Sequence, residues 1–591
     1  MRVDSHLSFM GRRWQLRATA TATHRQLAEK FALNPLFATI LADRGLEDEA
    51  AVEAFLQPRL QQLLDPLSLL DMDKAVERLI RAVEAGESIA VFGDYDVDGV
   101  TSSALLIRYF RALGMELRVY IPDRMTEGYG PNVQAMRILA QEGVRVVITV
   151  DCGATAVEAL EAARQVGLEV IVTDHHQMRG ALPAALAIIN PNRPDETFPY
   201  KNMAGVGVAF YLLMALNRGL RQRHWFADGR PEPQLKQWLD LVAIGTIADV
   251  AGLTGLNRIL VAHGLRGSSD PTQVGLQALK ESARLMGTLR AGQVAFQLGP
   301  RINAGGRLNR GMLGVELLTT EDAERARMLA EELEGYNRDR QLLEERMLRQ
   351  ALEQVANAGA AGERFGWVVA AEGWHPGVIG VVASRLAERL YRPVIVIALD
   401  GHGKGKGSGR SIPGVNLLAA VEAAAPLLTA FGGHRAAAGL SLELQNLEPF
   451  TDVFNRAIGE QLVPGLLDPV LHFDGALPLT AISRSLVGHF DRLNPFGQGN
   501  PEPVVVLENV RVVEARLLKD RHVKCFLADT QDNVLDAIAF QAWPGPLGEG
   551  LRLGVGRLDV AGTCSINSFR DRESVQMIIK DARPVQGSSR L

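Results

Sequence analysis

Ser88-Ile-Ala-Val-Phe-Gly-Asp-Tyr-Asp-Val-Asp-Gly-Val-Thr-Ser102 passes from an apolar run of strand type into an apolar helix that continues to Leu113 and stops at Gly114. Between strand and helix stand Asp94, Asp96 and Asp98. Three carboxylates this close repel one another, and a fold keeps them ionised together only where a cation neutralises them. Ligands of open α/β sheets gather at the carboxyl ends of strands, in the turn leading to the helix. The stretch therefore reads as a metal site at a strand tip. A solvated acidic turn is the plain alternative for a lone motif of this kind. A calcium loop of the EF-hand type is excluded, because the closing glutamate is missing and the left flank is a strand.

The same pattern recurs downstream. Val144-Arg-Val-Val-Ile-Thr-Val-Asp151 is a β-branched run ending in an aspartate, and Leu168-Glu-Val-Ile-Val-Thr-Asp-His-His176 ends in a polar cluster. Met115–Pro122 and Leu186–Asn190 are further short strands. Helical spacing over 133–142 and 156–165 fills the gaps. Strands alternating with helices predict a parallel, doubly wound sheet over about 71–320. Such a sheet puts its strand tips along one edge, so Asp94, Asp96, Asp98, Asp151 and the Asp174-His175-His176 cluster converge. Asp249 is the only charge in Leu241–Val250, and a carboxylate in an apolar run is expensive to bury unpaired. It joins the same metals or caps a helix.

The remainder of the chain reads in four parts. Residues 1–70 look helical and peripheral, an N-terminal cover. A polar helix with a narrow apolar stripe, 321–360, reads as a connector between domains. A second, smaller α/β unit follows over 361–450. Its glycine-dense basic stretch Gly401–Ser411 reads as a loop, able to cradle a phosphate with Ser408 and Arg410. Gly299–Leu308 likewise reads as a glycine-rich loop whose Arg301 and Arg307 can flank a phosphate. Short β-type runs over 465–585 predict a small antiparallel barrel of OB-fold size. Arg516, Lys519, Arg521, Lys524, Arg570 and Arg572, with Phe526 and Phe569, give it the basic turns and aromatics of a single-strand groove.

The 591 residues carry 47% hydrophobic and 22% charged side chains and a net charge of −5, so any nucleic acid is held in a local groove and not on a uniformly basic surface. Cys152, Cys525 and Cys564 are far apart and form no disulfide framework or zinc knuckle. The opening residues hold no apolar signal core, and no apolar run is long enough to span a bilayer. A cytoplasmic setting with no membrane partner is expected.

Taken together, Gly93–Gly99, Val150-Asp-Cys-Gly153, Thr173-Asp-His-His176 and Asp249 resemble the motifs of the DHH phosphoesterase superfamily. Gly432-Gly-His-Arg-Ala-Ala-Ala-Gly439 resembles the signature of its DHH-associated domain. Ile121-Pro-Asp-Arg124, Glu127-Gly-Tyr-Gly130, Gly299–Leu308, Glu372–Gly380 and Pro495–Pro503 are similar to the pattern of the RecJ family of bacterial exonucleases. The resemblance implies an α/β architecture: a parallel-sheet DHH domain joined by a long helix to a smaller DHH-associated domain, plus an OB-fold-like barrel. It implies 5′→3′ degradation of single-stranded DNA to mononucleotides, in repair and recombination, with two Mn²⁺ or Mg²⁺ ions. By position, Asp96, Asp98, Asp151, His175 and Asp249 are the implied metal ligands. Asp94 and His176 support the site or contact the scissile phosphate. Arg124, Ser408 and Arg410 hold the 5′ end, and Arg301, Arg307 and His434 face the DNA backbone. A single-strand-binding protein and a helicase are the implied protein partners. Gly305 and Asn309 depart from the family pattern. Two other readings stay open: a DHH phosphodiesterase acting on short oligonucleotides or cyclic dinucleotides, and a non-catalytic single-strand-binding scaffold.

Overall fold

The computed structural model describes residues 7–123, 126–178, 180–227, 229–269, 271–307, 310–359, 364–554, 556–569 and 572–585. The chain forms two compact units, one of residues 48–338 and 493–502, the other of 1–47, 339–492 and 503–591. The expected N-terminal cover to residue 70 is thus divided near residue 47. It is also not wholly helical. Arg13–Leu16 is a strand that pairs in parallel with Val470–Phe473. The buried Asp581 fastens this segment by accepting from the Ser8 hydroxyl and the Trp14 indole.

The first unit is built on a five-stranded, wholly parallel sheet. Its order is Arg118–Tyr120, Ile89–Gly93, Val146–Val150, Glu169–Thr173, Ala187–Ile189. Strand Ile89–Gly93 is buried on both faces, which is why its sequence is continuously apolar. Ile89 and Val91 point into one core, with the helices Met72–Ala85, Val97–Ala112, Gly205–Gln222 and Leu239–Ala248. Ala90 and Phe92 point into another, under the helices Val133–Gln141 and Val157–Gln165. This is the doubly wound arrangement the strand–helix alternation predicts. The expected loop Gly299–Leu308 is instead a helix, Gly299–Arg307, entered through a π-helical turn at Val294–Leu298. Its glycines lower helix propensity but allow close packing: a Cβ on Gly306 would lie 2.5 Å from the Tyr95 carbonyl oxygen.

In the second unit a five-stranded mixed sheet runs Leu428–Gly433, Ala437–Glu443, Lys404–Arg410, Val394–Leu399, Trp367–Glu372. The stretch expected as a basic loop is therefore a central strand. Gly405, Gly407 and Gly409 alternate on one face, where a Cβ would collide with Ile397, Leu440 and Ile395. Lys404, Lys406, Ser408 and Arg410 share the other face. A helix of 35 residues, Ala323–Asn357, leads into this domain.

The C-terminal strands Val505–Leu518, His522–Ala528, Val534–Ala539, Arg572–Pro584 and Arg557–Phe569 close into a barrel when the last pairs with the first. The barrel is not wholly antiparallel, because Asp536–Ile538 runs parallel to Gln576–Ile578. An odd number of strands closed into a ring cannot alternate direction throughout, so one parallel pair is obligatory. No helix among the described residues is long and apolar enough to cross a membrane.

Candidate metal centre

Every strand tip singled out in the sequence delivers its polar groups to one place. Asp94 follows strand Ile89–Gly93. Asp96 caps the next helix, accepting from the amides of Asp98 at 2.9 Å and Gly99 at 3.2 Å. Gly99 has to be glycine, since a Cβ there would sit 2.4 Å from the Asp94 carbonyl oxygen. Asp98 is buried and accepts from the amides of Gly205 at 2.6 Å and Val206 at 2.8 Å. These are the first amides of the helix Gly205–Gln222, where backbone donors and the helix dipole favour an anion.

Asp151 follows strand Val146–Val150 in the left-handed region, φ +59°, which aspartate tolerates better than most residues. His175 Nε2 lies 3.1 Å from Asp151 Oδ1 and 3.9 Å from Asp98 Oδ2, and its Nδ1 lies 3.9 Å from Asp249 Oδ2. Asp249 sits at the end of the helix Leu239–Ala248. Among the described residues three sets emerge: Asp94, Asp96 and Asp151; Asp98, His175 and Asp249; and Asp151, His175 and His176, which shares a residue with each of the others. Within each set the potential ligand atoms lie within 4.8 Å of one another.

Burial strains these charges. Asp98 is pushed up to about 7 by loss of solvent and by the neighbouring Asp249. Asp249 is pushed up to about 7 by burial and by Asp96. Burial and Asp98 raise Asp151 well above the usual carboxylate range. Asp151 Oδ1 and His175 Nε2 are also buried without a hydrogen-bond partner. Carboxylates short of positive charge, with buried ligand atoms unused, fit a divalent cation held by oxygen and imidazole.

Supporting residues surround the candidate ligands, beginning with Asp174 of the cluster named in the sequence. Asp174 Oδ1 accepts from the amides of His175 at 2.7 Å and His176 at 3.0 Å, and from His176 Nδ1 at 2.7 Å. Its Oδ2 accepts from the Ala154 amide at 2.9 Å. A carboxylate only accepts, so His176 carries its proton on Nδ1. Burial lowers the His176 pKa, but the Asp174 carboxylate outweighs this and lifts it to about 9. The Tyr129 hydroxyl donates to the Asp151 carbonyl at 3.0 Å. Asn190 and Asn192, just past the last strand, donate to the carbonyls of His176 and His175 at 2.9 and 2.6 Å. Gly205 and Gly245 clear space: a Cβ on Gly205 would lie 2.9 Å from Asp151 Cβ, and one on Gly245 would lie 3.0 Å from Asp98 Oδ1. The glycines left no signal in the sequence, whereas Asp174 stood out there from its place before two histidines.

The substrate-contact expectations meet a mixed outcome. Arg124 lies outside the described residues, as does the side chain of Arg307. Arg301 commits its guanidinium to Glu334, with Nε 2.7 Å from Oε2, and donates from Nη1 to the Gln297 carbonyl at 2.6 Å. A largely enclosed guanidinium needs such partners. Ser408 and Arg410 adjoin the start of the helix Ile379–Leu390. A Cβ on Gly380 would lie 3.2 Å from Ser408 Oγ and 3.3 Å from Arg410 Nη2. A hydroxyl, a guanidinium and a helix N-terminus are donors of the kind that suits an anion. His434 is exposed in the turn after Leu428–Gly433. On the barrel, Arg516 pairs with Glu514, and Lys524 pairs with Asp536 at 3.0 Å. Arg570 and the side chains of Arg572 and Phe569 lie outside the described residues.

Comparison with known proteins agrees with this architecture. The chain matches the DHH family, N-terminal domain, over residues 88–246, the DHHA1 domain over 364–460 and the RecJ OB domain over 473–581. It is 38% identical to the single-stranded-DNA-specific exonuclease RecJ of Dickeya dadantii, across 94% of this chain and 97% of that protein. With the enzyme of the same name from Bacillus subtilis it shares 36% identity, across 96% of this chain and 70% of the relative. The crystal structure of RecJ from Thermus thermophilus in complex with Mn²⁺ superposes with a TM-score of 0.80 at 32% identity, covering 97% of this chain and 80% of that one. A Mg²⁺ complex of the same protein superposes with a TM-score of 0.75 at 31% identity, covering 97% of this chain and 79% of that one. With its ligand-bearing strand tips on a parallel sheet and its three matched domains, the chain belongs to the RecJ family of DHH phosphoesterases.

Proposed function

We propose that this chain is a metal-dependent exonuclease that degrades single-stranded DNA from the 5′ end to mononucleotides, in DNA repair and recombination. The observation that carries the reading is the convergence of Asp94, Asp96, Asp98, Asp151, His175 and Asp249 in a chain of this family. These six side chains would hold two divalent ions, Mn²⁺ or Mg²⁺. When bound, such ions activate a water and neutralise the departing oxygen in an in-line displacement at phosphorus.

The protein's own groups do the remaining work. The amides of Gly205 and Val206 hold Asp98 in one orientation. Asp174 holds the protonated His176 ring with its Nδ1–H inward, which leaves the Nε2–H to donate to an oxygen of the scissile phosphate. Ser408, Arg410 and the helix start at Gly380 would receive the 5′-phosphate and set polarity. The barrel would grip the strand beyond, through aromatic and basic side chains such as Phe526 and Arg521. Because only an unpaired strand is degraded, a helicase and a single-strand-binding protein in the cytoplasm are the partners we assign to it.

The test is digestion of 5′- and 3′-labelled single strands and of duplex DNA with Mn²⁺, with and without chelator. The 5′ label should leave first as a mononucleotide, duplex should survive, and chelator should stop the reaction. Asp96→Ala and His175→Ala should abolish cleavage while strands still bind. First release of the 3′ label, or turnover in either variant, refutes the assignment.

A further inference from the structure

Phe296 is 82% exposed, and it stands on the only π-helical turn among the described residues, Val294–Leu298. Turns of this kind widen a helix locally and are frequent at functional sites. This one adjoins the metal centre. A Cβ on Gly299 would lie 3.5 Å from the Ala248 Cβ and 4.0 Å from Val97 Cγ2. Ala248 precedes Asp249, and Val97 stands between Asp96 and Asp98. Phe296 is three residues before Gly299, about 5–6 Å away along the helix surface.

A second apolar side chain, next in sequence to Asp249, is held against its own preference. Val250, directly after Asp249, has φ +60° and is 66% exposed. A β-branched residue in the left-handed region is strained and persists only where its surroundings impose it. Two apolar groups are thus kept in water, one next in sequence to Asp249 and one on the turn whose Gly299 packs on Ala248 and Val97, although burying either would be favourable.

We propose that Phe296 is a stacking platform for a base of the substrate strand next to the metal centre, with Val250 forming the neighbouring apolar edge. The inference rests on the nuclease reading above. An enzyme that removes nucleotides whatever their identity needs a contact every base offers, and the π-face of the base is that contact. A phenyl ring makes it without reading hydrogen-bond patterns. No base-specific preference is expected from it.

The experiment uses the full chain as wild type, Phe296→Ala and Phe296→Trp, with Mn²⁺ and single strands carrying one abasic site at each of the first few positions. On intact strands Phe296→Ala should raise KM about fivefold or more, while Phe296→Trp should match or lower it. In the wild type one abasic position should raise KM by a similar factor. At that position alone, Phe296→Ala should add nothing further, which a purely structural role would not produce. Unchanged melting temperatures show that the fold is intact, as expected for an exposed side chain. An unchanged KM in Phe296→Ala overturns the proposal. So does a loss that adds in full at every abasic position. A wild-type chain inert on single strands is a different result and removes the nuclease reading itself.

Discussion

Asp174 offers a sharp test of how the metal centre is held together, through Asp174→Asn. The native carboxylate accepts four donors: three on Oδ1, from the amides of His175 and His176 and the His176 ring, and one on Oδ2, from the Ala154 amide. Asparagine keeps the shape but has one acceptor. With its oxygen at the Oδ1 position, its NH₂ faces the Ala154 amide, donor against donor. The unsatisfied amide costs about 1–3 kcal/mol. The other three bonds lose the advantage of a charged acceptor, about 1 kcal/mol each. The reverse orientation is worse, because it strands three donors. The chain has large cores away from this loop, so the cost falls on the local conformation of His175 and His176. Misplaced partners of metal-binding histidines typically weaken metal affinity about 10–100-fold. Calorimetric titration with Mn²⁺ should show a loss in that range, with kcat reduced even at saturating metal and the circular dichroism spectrum intact. Wild-type affinity and wild-type kcat in Asp174→Asn would refute the reasoning.

Three further outcomes follow from the same geometry. Gly245→Ala places a methyl 2.3 Å from Thr101 Oγ1 and 3.0 Å from Asp98 Oδ1, so it should destabilise the chain by about 1–3 kcal/mol and weaken Mn²⁺ binding; a melting curve and titration equal to wild type would contradict the packing. Asp98 and Asp249 have folded-state values raised to about 7, so the metal-free fold binds protons that the unfolded chain releases. The contribution of these two groups to stability is then full below about pH 4 and is lost as pH rises through 7. Metal binds the ionised carboxylates, so the gain in Tm from saturating Mn²⁺ should be larger at about pH 8 than at about pH 5.5; an equal gain at both would count against it. Arg410→Ala should slow digestion of 5′-phosphorylated strands more than of 5′-hydroxyl strands, and equal slowing would remove the proposed 5′-phosphate contact.

Much of the catalytic half was legible because its signal is local. A β-branched run ending in Asp or His gives both the strand and the position of its tip, and a parallel sheet does the gathering. Asp151 and His175 could therefore be brought together on paper, and the structure sets them 3.1 Å apart. What misled was glycine. In Gly299–Arg307 glycine and asparagine lower helix propensity, yet close packing against Tyr95 overrides it. In Lys404–Arg410 alternating glycines erase the apolar period of a strand, although their missing side chains are what lets Ile397 and Leu440 fill that face. The N-terminal strand Arg13–Leu16 was illegible because its partner lies more than four hundred residues away, at Val470–Phe473. The Glu334 carboxylate that pairs with Arg301 was likewise not legible, because it lies on a different helix.

The central claim is that divalent ions are held jointly by acid and imidazole groups arriving from separate strand tips. Anomalous diffraction from Mn²⁺-soaked crystals tests it most directly. The account predicts two peaks within bonding distance of Asp94, Asp96, Asp98, Asp151, His175 and Asp249, both lost in Asp151→Ala. Peaks elsewhere, or none at these side chains in protein that still digests single strands, would contradict it.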